Sequence, residues 1–390
     1  MIRPLRWLPV LVLAPFLLHA ALREEPVPPT VIPAAFHWRN NGWFTGEEHY
    51  AVEQRGIQRL YFKFLDIDHS PAHGAHPVSF NNVPYEWKGY NNAGMWTGKV
   101  EFVPSIYITN NTFLQLDKAG VRELASNLLR KLRKDCPIAY DGLLLDCDWT
   151  AKTKASFFEL TRIINDSLAV PVSATIRLHQ YADPKGTGIP PADRGMLMVY
   201  NVGRVKDPGT KNSIFDLEMA KPYFTSSKPY PLPLDLALPA FSWGAQFRQG
   251  RFLGLINEDV LDEAIQREVL QQKDKSVFQV TREDNNRFPQ LHIGDEVRVE
   301  GSTKEMIAQA AQLVQTAVNT DTFAVAFFET GSSTFQGLPK EFTDSTVRSF
   351  GTVKPNEHFP EPGEGGLIEP TPAVDTVWMA VDPAATPAKP

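Results

Sequence analysis

Asp141-Gly142-Leu143-Leu144-Leu145-Asp146-Cys147-Asp148-Trp149 reads as a short buried strand that ends in two acids. Helical patterns flank it on both sides. Residues 117–134 put Val121, Leu124, Leu128, Leu129 and Leu132 on one face, with Arg and Lys towards the C-terminal end, as the helix dipole prefers. Residues 153–168 follow with a second helical pattern. A strand between two helices is the repeating part of a parallel sheet.

The alternation continues in both directions. Strands are expected at 31–38, 57–66, 101–109, 141–148, 172–179, 196–201, 234–241 and 322–329, and further helices at 47–55, 214–224, 259–272 and 304–318. Eight strands in this rhythm predict an α/β fold, a (β/α)8 TIM barrel over residues 30–350. Residues 276–301 alternate as extra β-structure, a small β insertion between strands 7 and 8. Residues 67–99 form a long loop rich in His, Asn, Gly and aromatics, a kind of segment that is usually functional or disordered. From 352 to 390 the chain is a Pro-rich tail without periodicity.

At the other end, Arg3 and Arg6 precede the apolar run 7–18, and His19-Ala20-Ala21 follows with small residues. That is the order of a signal peptide, assigned to residues 1–21. The run is too short for a comfortable membrane span, so a secreted or periplasmic protein is expected, without stable membrane insertion after cleavage. The 390 residues are 43% hydrophobic and 22% charged, enough apolar content for a large core. A net charge of -6 argues against a nucleic-acid partner. Cys136 and Cys147 sit at opposite ends of one expected strand, roughly 25 Å apart, and are read as free buried thiols.

Chemistry is expected where the strands end. Asp146 and Asp148 are two apart and share a face of the fourth strand, at the barrel mouth. Two carboxylates side by side repel, so one of them holds its proton to higher pH, which suits acid catalysis. The fifth strand alternates Ser173, Thr175, Arg177 and His179 with Val172, Ala174, Ile176 and Leu178, so a polar file looks into the lumen. Trp38, Trp87, Trp96, Trp149 and Trp243 lie at strand ends or in the long loop and could stack on apolar sugar faces. Asp66-Ile67-Asp68-His69 with His73 and His76 offers carboxylates and imidazoles to a divalent metal, but in no spacing with a definable geometry. No metal and no cofactor is therefore assigned.

Three motifs in order resemble glycoside hydrolase family 18, the chitinase-like barrels. That family's strand-four motif is D-G-x-D-x-D-x-E. Asp141 and Gly142 match its opening and Asp146 its third Asp; Leu144 replaces the second, and Asp148 stands where the catalytic Glu belongs. Met198-Val199-Tyr200-Asn201 is similar to the strand-six M-x-Y-D, with an amide for the last acid. Leu238-Pro239-Ala240-Phe241 followed by Trp243 is similar to the strand-seven Pro-aromatic segment.

The resemblance implies Asp148 as the acid, Asp146 as the carboxylate that orients a substrate acetamido group, and Tyr200 as its partner. Asp is shorter than Glu by one methylene, roughly 1.5 Å, and misplacement on that scale can cost about a hundredfold. The departure therefore implies a re-shaped site, another sugar or lost catalysis. Ordinary two-carboxylate hydrolysis would instead draw its second group from Asp66, Asp68 or Glu329. Arg177, His179, Asn201, Trp38, Trp149 and Trp243 are the expected binding residues, together with Asp66, Asp68 and Glu329. The expected activity is hydrolysis of a polysaccharide or oligosaccharide, with N-acetylated amino sugars among the candidates. The alternatives are a catalytically inactive carbohydrate-binding barrel and a metallohydrolase.

Overall fold

The computed structural model describes residues 27–40, 44–81, 99–136, 139–225 and 228–356. The expected signal peptide, Trp87 and Trp96, and tail residues 357–390 lie outside the described residues.

Strands follow in the order β1 (Thr30–His37), β2 (Arg59–Ser70), β3 (Gly74–Phe80), β4 (Glu101–Ile108), β5 (Leu143–Asp146), β6 (Val172–Arg177), β7 (Arg194–Met198) and β8 (Leu234–Pro239). After an excursion come β14 (Thr322–Phe328) and β15 (Thr352–Val353). Eight of them, β1, β2, β4, β5, β6, β7, β8 and β14, pair in parallel, and β1 pairs with both β14 and β2, so the sheet closes into a barrel. Strands such as β5 and β8 are buried along their whole length, because helices cover one face and the lumen the other.

The helices form where the local chemistry favours them. Lys118–Asp135 starts on Asp117, whose side chain accepts from the Gly120 N–H, and it buries the leucine face read from the sequence. Gly46–Gln54 starts on a reciprocal Thr45/Glu48 capping box. The helix expected over 214–224 is reduced to Leu217–Ala220 and a 3-10 turn, Lys221–Phe224. Pro222 lies within that stretch and cannot donate to a continuing helix.

Several strand ends differ from expectation. β6 stops at Arg177, and Leu178–Ala182 is helical, with the Gln180 side chain accepting from the Arg177 N–H at 2.8 Å. The polar file therefore ends at Arg177, and His179 leaves it. β2 runs past residue 66 and pairs antiparallel with β3, so the expected long loop begins as a hairpin. Thr352–Val353, expected in the tail, pairs with Thr30 and Val31 at the foot of β1, where β2, which joins β1 only from Ala34, leaves an open edge.

The excursion between β8 and β14 is a five-stranded antiparallel sheet of β9 (Ser242–Arg248), β10 (Arg251–Asn257), β11 (Leu270–Gln272), β12 (Val277–Val280) and β13 (Glu296–Gly301). It begins at Ser242 rather than near 276. The β9–β10 hairpin turns on Gln249 and Gly250, both at positive φ, a tight turn that fits the strand twist. The sheet has its own core, with Leu261, Val280, Phe288 and Val297, and encloses the helix Glu258–Gln266.

At the barrel foot, Asp235 is 1% exposed. It receives Arg194 through two bonds of 3.1 and 2.9 Å and the Ala324 N–H at 2.8 Å. Arg59 pairs with Glu101 at 2.6 Å, and Lys354 reaches the same carboxylate at 2.8 Å. The foot is thus closed by ion pairs, a feature not read from the sequence.

Candidate functional site

The opposite end of the barrel, where the strands finish, holds the candidate site. β4, β5 and β2 are in register so that Asp66 is level with Tyr107 and Tyr107 with Asp146. Asp146 closes β5 and is 5% exposed. Thr175, on the neighbouring lumen-facing position of β6, donates its hydroxyl to Asp146 at 2.7 Å. Burial pushes the Asp146 carboxyl up to about 6, helped by the charges of Asp148 and Asp66 and opposed by Arg177 and Thr175.

Asp148 lies two residues beyond the strand, and its side chain is 44% exposed. Arg177 grips it with a fork: Nε donates to one carboxylate oxygen and Nη2 to the other at 3.0 Å. Repulsion between the two left open which of them gains proton affinity, and the resemblance named Asp148 as the acid. In the structure burial confers that affinity on Asp146, the inner member, while the outer member faces solvent and a guanidinium.

Around the pair, burial pushes the Tyr107 hydroxyl up to about 12, with Asp146 and Asp148 adding to the effect. Burial also pushes Tyr200 well up; Arg177 opposes this, and Asp146, Asp148 and Glu329 add to it. Tyr200 is 3% exposed, and its hydroxyl has no hydrogen-bond partner among the described residues. Arg177 Nη1 is likewise buried without one. His179 is exposed on the helix after β6, and burial lowers its basicity despite the nearby Asp148. Asn201 follows β7 at φ 58, exposed, with its N–H bonded to the Ile214 carbonyl at 2.7 Å.

Glu329 directly follows β14 and accepts the Trp38 N–H at 3.2 Å. Burial pushes its carboxyl up to about 7, against the pull of Arg39 and His37. Behind it lies a buried His37–Glu48 contact at 3.5 Å, which sequence reading missed; the capping-box position of Glu48 was the available signal. Asp66 pairs with Lys63 at 2.6 Å, and burial raises its carboxyl.

Other expected residues are used differently. Asp68 accepts from Thr109 at 2.6 Å, Asn111 at 3.0 Å and the His69 N–H at 2.8 Å, bonds that lower its carboxyl. The hairpin carrying it brings His73 and His76 together at 5.4 Å between rings. Among the described residues no three His, Cys, Asp or Glu are grouped to hold a metal, and no helix is long and apolar enough to cross a membrane. Cys136 and Cys147 are both buried, and no disulfide joins them.

Trp149 is not a sugar platform. It is 3% exposed, stacks on Phe157 at 5.2 Å and donates its indole N–H to the Thr187 carbonyl at 3.1 Å. Trp38 and Trp243 remain partly exposed. Trp38 packs at 5.8 Å from Phe328, and Phe328 at 5.3 Å from Phe241, which meets Trp243 at 5.2 Å. An aromatic row therefore borders the mouth from β1 to β9, on the side where Tyr200 leans on Phe328 at 5.1 Å.

No family model matches the chain, and no curated protein does. Among solved structures, the chain is similar to the Bacillus cereus spore cortex-lytic enzyme SleL at 14% identity and a TM-score of 0.46, over 85% of this chain and 76% of that one. It is similar to a chitinase of Chromobacterium violaceum at 14% identity and a TM-score of 0.46, over 82% and 99%. A family 18 N-acetylglucosaminidase of Paenibacillus barengoltzii gives 10% and 0.43, also over 82% and 99%.

Proposed function

We propose that the protein is an exported glycoside hydrolase that cleaves a polysaccharide at the barrel mouth, by acid catalysis from the end of β5. The observation that carries the reading is the Asp146–Asp148 pair. One carboxyl is buried with its proton affinity raised, and the other stands exposed beside it. Burial and the nearby charge of Asp148 favour the protonated form of Asp146. On this reading Asp148, the outer and more exposed member, donates a proton to the glycosidic oxygen, with Asp146 behind it.

The partly exposed Trp38 and Trp243 offer ring faces to a sugar. Tyr200, with its buried and unpartnered hydroxyl, suits an acyl oxygen of an N-acetylated sugar. Incubation with a panel of polysaccharides, read by mass spectrometry of released oligosaccharides, tests the reading. We expect Asp148→Asn and Asp146→Asn each to lower turnover by roughly 10²–10⁴ while sugar binding persists. Wild-type protein that binds a glycan and releases nothing overturns it.

The Arg177 fork favours a second reading. A carboxylate gripped at both oxygens is a poor proton donor while the grip lasts, as in a silent carbohydrate-binding barrel. In that case neither substitution changes any turnover.

A further inference from the structure

We propose that Tyr107 is a substrate-binding residue of the mouth, whose solvent-facing hydroxyl donates a hydrogen bond to an oxygen of the sugar held beside Asp146 and Asp148. This deepens the glycosidase reading above and rests on it.

Tyr107 is the penultimate residue of β4. It is level with Asp66 on β2 and with Asp146 on β5. Residues opposite one another on parallel strands point to the same side of the sheet. Asp146 looks into the lumen, where it accepts from Thr175 of the polar file on β6. Asp66, Tyr107 and Asp146 therefore stand in one row across the mouth, with the tyrosine between two carboxyls. The charge of Asp148 reaches Tyr107 as well.

The three members of the row differ in what they leave open. Asp146 is 5% exposed, and Asp66 is paired with Lys63 at 2.6 Å. Tyr107 is partly exposed. No described residue bonds its hydroxyl, and that oxygen is not one of the buried unpartnered atoms, as the hydroxyls of Tyr200 and Tyr230 are. It therefore meets solvent, and a ligand entering the mouth can reach it as it stands.

The hydroxyl has no bond that serves the fold. At the foot, by contrast, Tyr61 donates its hydroxyl to Asp235 at 3.4 Å. Phenylalanine at position 107 would fill the same space. What the oxygen adds is a donor that keeps its proton, since burial and the charges of Asp146 and Asp148 push it up to about 12. Ionised carboxylates only accept, and Arg177 is engaged on Asp148. Tyr107 supplies an accessible donor beside these acceptors, and sugars carry hydroxyls that both donate and accept.

The test is Tyr107→Phe, which removes one oxygen and keeps the ring. Binding of chitohexaose and of mannohexaose is measured by calorimetry, alongside thermal unfolding and steady-state kinetics on whichever is cleaved. We expect Tm to stay within about 1 °C of wild type, because no bond of the fold is lost. Kd for the oligosaccharide that wild type binds should rise by about 5–10-fold, the loss of one neutral hydrogen bond. KM should rise by a similar factor with kcat little changed, as expected when uniform binding is removed.

Unchanged Kd in Tyr107→Phe overturns the proposal and leaves the glycosidase reading standing if wild type cleaves. A Tm lower by several degrees also overturns it, since the hydroxyl then serves the fold. Wild type that binds an oligosaccharide and cleaves nothing removes the glycosidase reading, and the calorimetry still judges Tyr107. Wild type that binds neither oligosaccharide overturns the proposal, whatever the polysaccharide panel releases.

Discussion

Glu329 shows what a single placement does to a residue. Its carboxyl sits beside Trp38 with one backbone N–H for a partner, and burial takes it from 4.5 to about 7. Below pH 4.5 it is protonated whether the chain is folded or not and contributes nothing to pH dependence. Between 4.5 and about 7 the folded state holds more protons than the unfolded one, so stability falls as pH rises and levels off above 7. Glu329→Gln should remove that fall. Urea unfolding should find the variant level with wild type at pH 4 and more stable at pH 8, by on the order of 2–3 kcal/mol. A variant less stable than wild type at pH 8 would show that the carboxylate is stabilised where it stands. Trp149 carries the opposite lesson: a tryptophan next to two acids reads as a ligand platform, yet its ring is needed to fill the space over Phe157.

At the scale of elements, the sequence pattern served best where one face repeats. The leucine face of Lys118–Asp135 and the polar alternation of Ser173 and Thr175 are local properties, and they fold as their periodicity demands. Element ends depend on partners. β6 stops because Gln180 caps it, and the sheet after β8 begins early because a Gln-Gly turn pairs β9 with β10. That sheet is tied to the barrel by Glu300, 2% exposed, which accepts from the Ser213 N–H at 2.8 Å, the Trp243 indole at 3.0 Å and Arg298 at 2.6 Å. Glu300→Ala should strand the buried Arg298 and cost about 3–5 kcal/mol. Denaturation followed by tryptophan emission should show an earlier transition; an unchanged midpoint would mean that the sheet's own core holds it in place.

For the whole molecule, ion pairs close the foot of the barrel, and the proposed site lies at the mouth, the opposite end of the strands. Asp235 joins β8 to β7 through Arg194 and to β14 through the Ala324 N–H. Asp235→Ala should destabilise the protein by about 1–3 kcal/mol, because half-buried Arg194 loses its two bonds and the Ala324 N–H its acceptor. Glycan affinity, measured by calorimetry on the folded protein, should stay within about twofold, since the mouth lies at the other end of the strands. A large loss of affinity would show that closure of the foot shapes the mouth.

The sequence by itself determined that the chain alternates strand and helix, and that Asp146 and Asp148 stand where the fourth barrel strand ends. Both follow from the side-chain period of a strand and the need to bury apolar faces, which act over a few neighbouring residues. Only the tertiary structure decided which aspartate is buried and which is gripped. Thr175 and Arg177, the residues responsible, each lie 29 positions along the chain from the aspartate they bond. It also decided that Glu329 meets Trp38 across 291 positions and that the foot is closed by charge. Proton affinity depends on burial and on charges brought close by the fold, and neither is a property of any short stretch of chain.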